Sequence, residues 1–189
     1  MSFLDGIKDW FGRRALVKQA KKDRLPVAKN LAMSVKVGII YYSHEEEAHS
    51  QVRNYVKKIK EDLGLTRIMA VGYFPGKELP YYLHAKLNFD AFCQKDLNWY
   101  RVPHGNVVQN FIAEEYDILI DLTLHDEYPL QFIMAKSQAR FKVGRLNNKS
   151  AHFLDMMIDT AGADSLAQLI SNMDKYLLMI NAPKVAALN

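Results

Sequence analysis

The chain has 189 residues, a net charge of +4, and 49% apolar against 24% charged residues. That length and balance fit one globular domain with a short appendage, and exclude a long disordered chain. The one cysteine, Cys93, excludes an internal disulfide framework and a multi-cysteine zinc site, and suits a reducing compartment.

The positive charge is unevenly spread. Residues 1–36 hold nine basic residues against three acids, a net +6, which leaves −2 for the rest of the chain. Asp5 and Asp9 interrupt the first stretch, which lacks the apolar core of a secretory leader. Runs such as 118–120 are far shorter than the ~20 residues that span a bilayer. The expected location is the cytoplasm, with peripheral attachment at the inner face of the membrane open to the basic arm.

Taken in chain order, Phe3, Leu4, Ile7, Trp10 and Phe11 share one helical face, and Arg14, Lys18 and Lys21 then rotate into that stripe. The spacing predicts a short amphipathic helix followed by a basic stretch ending near Pro26. Residues 35–41, VKVGIIY, form an apolar run that needs cover on both faces, as a central parallel strand does. Val52, Val56, Ile59 and Leu63 predict a helix over 45–63, stopped by Gly64 and opened by Ser43 as cap. Residues 66–74 are a second strand.

From 75 to 103 the periodicity fails, although the segment is rich in aromatics and is expected to hold a short strand near 90–94. A helix over 106–115 precedes the strand YDILIDL, 116–122. A helix over 128–139 follows, with Pro129 in its first turn, where a missing N–H costs nothing. Strands are predicted at 140–146 and 152–158. The closing helix, 164–180, turns Leu166, Leu169, Ile170, Met173, Leu177 and Ile180 inward, capped by Asp164 or Ser165. The expectation is an α/β three-layer sandwich with a mostly parallel, Rossmann-like sheet, residues 35–189, preceded by a basic amphipathic N-terminal arm, residues 1–34.

Ligands of open parallel sheets bind beyond the carboxyl ends of the strands, which selects two loops. In the first, Ser43, His44, Glu45, Glu46, Glu47 and His49 include no glycine, so it has no phosphate-cradling fingerprint. His44 and His49 are five apart, off the spacing of a zinc helix, and no metal or cofactor is expected. In the second loop, Asp121, Thr123, His125 and Asp126 fall within six positions. A carboxylate beside His125 would make it a general base, so Asp121, His125 and Asp126 are the candidate catalytic residues. The plainer alternative has Asp121 and Thr123 satisfying backbone groups and Asp126 capping the next helix. Cys93 reads as a small buried hydrophobe. Lys136, Arg140, Lys142, Arg145 and Lys149 form a basic segment that suits a phosphate. Arg140 and Lys142, however, alternate along one strand face, the pattern by which an edge strand avoids pairing, and that reading is preferred.

The arm offers the other surface. Trp10, Phe11, Arg13, Arg14, Lys18, Lys21 and Lys22 are the candidate partner-binding residues. They suit an anionic membrane surface, nucleic acid or another protein, or else fold back on their own domain.

The stretch EYDILIDLTLHDEYPLQFIMAKSQARFKVGR, 115–145, resembles part of the N-terminal domain of the GT-B heptosyltransferases. The matching positions are Tyr116, Asp117, Ile120, Asp121, Leu122, Ala139, Arg140 and Gly144. Those transferases carry a Gly-Asp pair after their first strand, where this chain has Ser43-His44-Glu45. The whole chain is also similar to a family of small bacterial α/β proteins of unassigned function. The resemblance implies a transferase-like fold reduced to a binding module. The first expectation is therefore a non-catalytic interaction protein docking through its arm. The alternative is a small transferase-like enzyme or binding domain for a phosphorylated or sugar-nucleotide ligand.

Overall fold

The computed structural model describes residues 25–148, 150–160 and 165–181. The amphipathic helix and most of the basic arm lie outside the described residues, Trp10, Phe11, Arg13, Arg14, Lys18, Lys21 and Lys22 among them. Six parallel strands form one sheet: β1 (Lys36–Tyr42), β2 (Arg67–Tyr73), β3 (Phe89–Phe92), β4 (Ile118–Leu122), β5 (Phe141–Arg145) and β6 (Met156–Ile158). Their spatial order is β3-β2-β1-β4-β5-β6. The chain builds outward from β1 in one direction, then returns and builds outward from β4 in the other.

Among the described residues four α-helices cover the two faces: α1 (Glu46–Leu63), α2 (Asn106–Ala113), α3 (Tyr128–Lys136) and α4 (Leu166–Met179). Alternate side chains of the inner strands enter two separate cores, as the pleat requires. On one face Val37, Ile39, Tyr41, Ile118, Ile120 and Val143 meet Val52, Val56 and Ile59 of α1 and Leu169, Met173 and Leu177 of α4. On the other, Ile40, Val71, Tyr73 and Leu119 meet Val108 and Phe111 of α2 and Ile133 and Met134 of α3. The result is the three-layer, Rossmann-like α/β architecture.

Local chemistry explains the helix ends. Gly64 takes the left-handed conformation, φ 67°, and its N–H donates to Lys60 O at 3.1 Å. The Ser165 hydroxyl accepts from the Gln168 N–H at 3.3 Å and caps α4. Ser43 does not open α1: it is fully buried, Glu45 holds the cap position without a side-chain bond, and the Ser43 N–H donates to Tyr73 O instead. Nor does Asp126 cap α3, because Glu127 occupies that position.

The edge-strand reading of Arg140 and Lys142 fails on topology. β5 lies between β4 and β6, Arg140 precedes it, and Lys142 is buried with its Nζ donating to Ala135 O at 3.3 Å. The failed periodicity of 75–103 also has a structural basis. Strand β3 is only four residues long, and the rest is 3-10 turns and loop.

The chain before β1 is bonded into the body. Leu31 is fully buried, and the Asn30 amide donates to Leu178 O and Ile180 O, both at 2.7 Å. The Val27 N–H donates to Arg140 O, and Lys29 pairs with Asp117 at 2.8 Å. Asp117 also accepts the N–H groups of Val35 and Lys36. Residues 27–34, counted with the arm by charge, thus pack with the domain. They enter it at the amino ends of β4 and β5.

Candidate functional site

The sheet order reverses between β1 and β4, so the crevice of a doubly wound fold lies beyond their carboxyl ends. Tyr42 closes β1, and its ring stacks on His44 two residues on, centroids 5.2 Å apart. Tyr42 also leans on Tyr73, the last residue of β2, at 6.1 Å. His44 is half exposed and pairs with Glu45 at 2.8 Å. The helix that follows begins with Glu46 and Glu47, which match its dipole and oppose an incoming phosphate.

The second loop separates the residues that a general base would need together. Asp121 is buried opposite Ile40, and its Oδ1 accepts the Thr123 N–H at 3.0 Å. Burial pushes its carboxyl up to about 6, against the hydrogen bonds of Thr123 and the charge of Arg145, with Asp126 adding to the rise. Gly144 gives this carboxylate room: a Cβ there would come within 3.3 Å of the Asp121 Cβ and 2.9 Å of Leu154. Asp126 accepts a hydrogen bond from the Asn147 amide. His125 is exposed and, among the described residues, makes no hydrogen bond or ion pair. The carboxylates on either side are thus turned toward the sheet and toward Asn147.

A further group sits over the same crevice. Burial raises the Tyr73 hydroxyl to about 12; the charge and hydrogen bond of Arg101 oppose that rise, and Glu127 adds to it. Tyr42 is raised by burial and by Glu127, and lowered by Arg101. Arg101 and Glu127 therefore both lie within the field of the two phenols that end β1 and β2.

Arg101 is placed by a tight turn in which Leu97 bridges Pro103. The Asn98 side chain there accepts the N–H groups of Tyr100 and Val102, at 2.9 and 3.0 Å. Arg101 itself has φ 61°, a left-handed conformation that costs a non-glycine residue on the order of 1 kcal/mol or more. The same turn presents Trp99 and Tyr100, both mostly exposed, with rings 4.6 Å apart.

Tyr42, Tyr73 and Arg101 are not foreseen from the sequence, whereas Glu127 ends the second loop that it selects. The trace of Arg101 is the aromatic-rich, otherwise unpatterned loop that holds it, and the meeting of Tyr42 with Tyr73 depends on the β1–β2 register. Among the described residues no group of three or more His, Cys, Asp or Glu side chains is placed to hold a metal ion. Cys93 is buried, its thiol raised by burial, with Sγ 3.2 Å from Lys77 O. No described helix is long and apolar enough to cross a membrane.

Comparison with known families gives a match over residues 8–180 to the model of a family of unknown function (DUF6913). No curated protein matches the chain.

Proposed function

The chain belongs to the family of unknown function DUF6913, and we propose that it acts as an interaction module without catalysis of its own, docking through its basic N-terminal arm. What carries this reading is the state of the crevice. Tyr42 and Tyr73 lie against each other at the strand ends, and the charges of Arg101 and Glu127 act on both phenols. Asp121, His125 and Asp126 are turned apart, so among the described residues His125 has no orienting carboxylate. The one histidine–carboxylate pair there, His44–Glu45, is exposed, and the glycine-free first loop offers no cradle for a phosphate.

The arm has the complementary properties. It joins the body at the end of the sheet opposite the crevice. At its root Leu25, Val27, Met33 and Val35 are all exposed, with Leu25 at 89%. With the apolar stripe of Phe3, Leu4, Ile7, Trp10 and Phe11 and the cations from Arg13 to Lys22, this suits an anionic membrane surface better than nucleic acid. A stripe of that kind gains from an acyl boundary and gains nothing from a phosphate backbone.

Co-sedimentation with phosphatidylserine-containing vesicles tests this, comparing the full chain with one that begins at Leu25 and so keeps Asn30 and Leu31. The full chain should sediment, less so as salt rises, and the shortened chain should stay in solution. Equal sedimentation of the two would remove the arm from the account, and retention of the full chain by nucleic acid but not by vesicles would reassign its partner.

A second reading rests on Asp121. A buried carboxyl raised to about 6 at a sheet's switch point is the kind of group an active site uses. The resemblance of 115–145 to the heptosyltransferase domain supports a phosphorylated or sugar-nucleotide ligand at that point.

A further inference from the structure

On the other face of the sheet, near the start of α1, His49 is 4% exposed. Its Nδ1 lies 2.8 Å from the Tyr41 hydroxyl. That hydroxyl is buried and has no other partner among the described residues, so it donates to Nδ1 and the ring proton sits on Nε2. Nε2 is itself enclosed and has no hydrogen-bond partner among the described residues. Buried polar groups are paired as a rule, so an orphaned ring N–H calls for an explanation. The two ring nitrogens point in broadly opposite directions. With Nδ1 held by Tyr41 of β1, the rest of the ring is bordered by Phe89 of β3, edge-on at 5.5 Å, and by Tyr82 at 6.1 Å.

His49 lines a groove of about 370 Å³ whose wall also includes Tyr82, Arg53 and Lys86. Its acids are engaged by neutral donors of the protein. Glu46 accepts from the Tyr81 hydroxyl at 2.7 Å, and Glu47 accepts from the Gln51 amide at 3.0 Å. Its cations are different: among the described residues neither Arg53 nor Lys86 is in an ion pair. Burial, then the charges of Arg53 and Lys86, lower the His49 pKa, with Glu46 opposing, so the ring stays neutral beside two cations.

We propose that this groove binds a small oxyanion, a carboxylate or phosphate group, with the His49 Nε2–H as its buried donor and Arg53 and Lys86 as its counter-charges. Tyr82, with its ring centroid 6.1 Å from that of His49, is the side chain that gives way as the anion reaches the nitrogen. Glu46 and Glu47, at the helix start that also borders the crevice, put negative charge on the groove's wall, so the anion depends on Arg53 and Lys86 to outweigh them. Neither cation belongs to the arm, and the site stands or falls independently of the docking role proposed above.

The experiment follows the His49 ring nitrogens by long-range proton–nitrogen NMR on the full chain. Inorganic phosphate and acetate are titrated in turn at constant ionic strength. The His49 Nε2 signal should move saturably with at least one of them. Arg53→Gln, at an exposed position that leaves the fold intact, should weaken that binding about tenfold through the lost charge. The proposal is overturned by a His49 signal that neither anion moves, or by a shift that is the same in an Arg53→Gln/Lys86→Gln double variant. A resident water on Nε2 that neither anion displaces would overturn it equally.

Discussion

Gly72→Ala should lower the stability of the protein by about 3 kcal/mol, the upper range for forcing extra volume into a close-packed core. Gly72 lies opposite Tyr41 in the β1–β2 ladder, and the Tyr41 ring crosses over it. A Cβ at 72 would stand 2.7 Å from Tyr41 Cζ and 2.8 Å from its hydroxyl. That ring cannot swing away, because it is fully buried and tied to His49. Urea denaturation measures the loss. Repeating the substitution in a Tyr41→Leu background should reduce its cost to about 1 kcal/mol or less, since contacting residues couple in this way. Gly64→Ala is the contrast: at φ 67° with nothing within 4 Å, it should cost only the roughly 1 kcal/mol of a left-handed alanine. Equal losses at 64 and 72, unaffected by Tyr41, would show that the aromatic crossing does not govern the ladder.

Asp121→Asn should stabilise the protein at neutral pH, by about 2–3 kcal/mol at most, and leave it unchanged near pH 4. The sign follows from burial. The Asp121 carboxyl is raised to about 6 in the folded chain, whereas an unfolded aspartate titrates near ~3.9. Between those values the folded state holds the proton that the unfolded state has released. Stability therefore falls as pH rises through that window, and stays lowered above pH 6. Asparagine keeps the oxygen that accepts the Thr123 N–H and removes the buried charge. Denaturation midpoints of the two proteins, compared at pH 4 and pH 7, measure the effect. A variant less stable than the parent at pH 7 would mean that Arg145 outweighs burial and that the carboxylate is held as an ion.

The architecture was legible where one period dominated a segment. VKVGIIY and YDILIDL are apolar on both faces because β1 and β4 are the two central strands, and that alone locates the crevice. The inward stripe of α4 is found where its spacing puts it, with Leu169, Met173 and Leu177 fully buried. What failed was decided by distant partners. Ser43 has the composition of a cap but is claimed by the backbone of β2 through Tyr73 O. Lys142 has the composition of an edge residue but lies under a neighbouring strand, its charge met by a helix-end carbonyl. Asp121, His125 and Asp126 are adjacent in sequence, yet the strand pleat and the Asn147 contact turn them apart. Arg101 belongs to the site through a left-handed turn in a stretch without periodicity, which nothing in the local sequence announces.

The proposed function is that this domain carries a docking segment rather than an active site. Hydrogen exchange of the full chain, with and without phosphatidylserine-containing vesicles, tests it most directly. New protection is expected over residues 1–24 and at the root from Leu25 to Val35, with Tyr42, Tyr73 and residues 123–127 unchanged. Protection at those crevice positions, with the arm exchanging as it does in buffer, would contradict it.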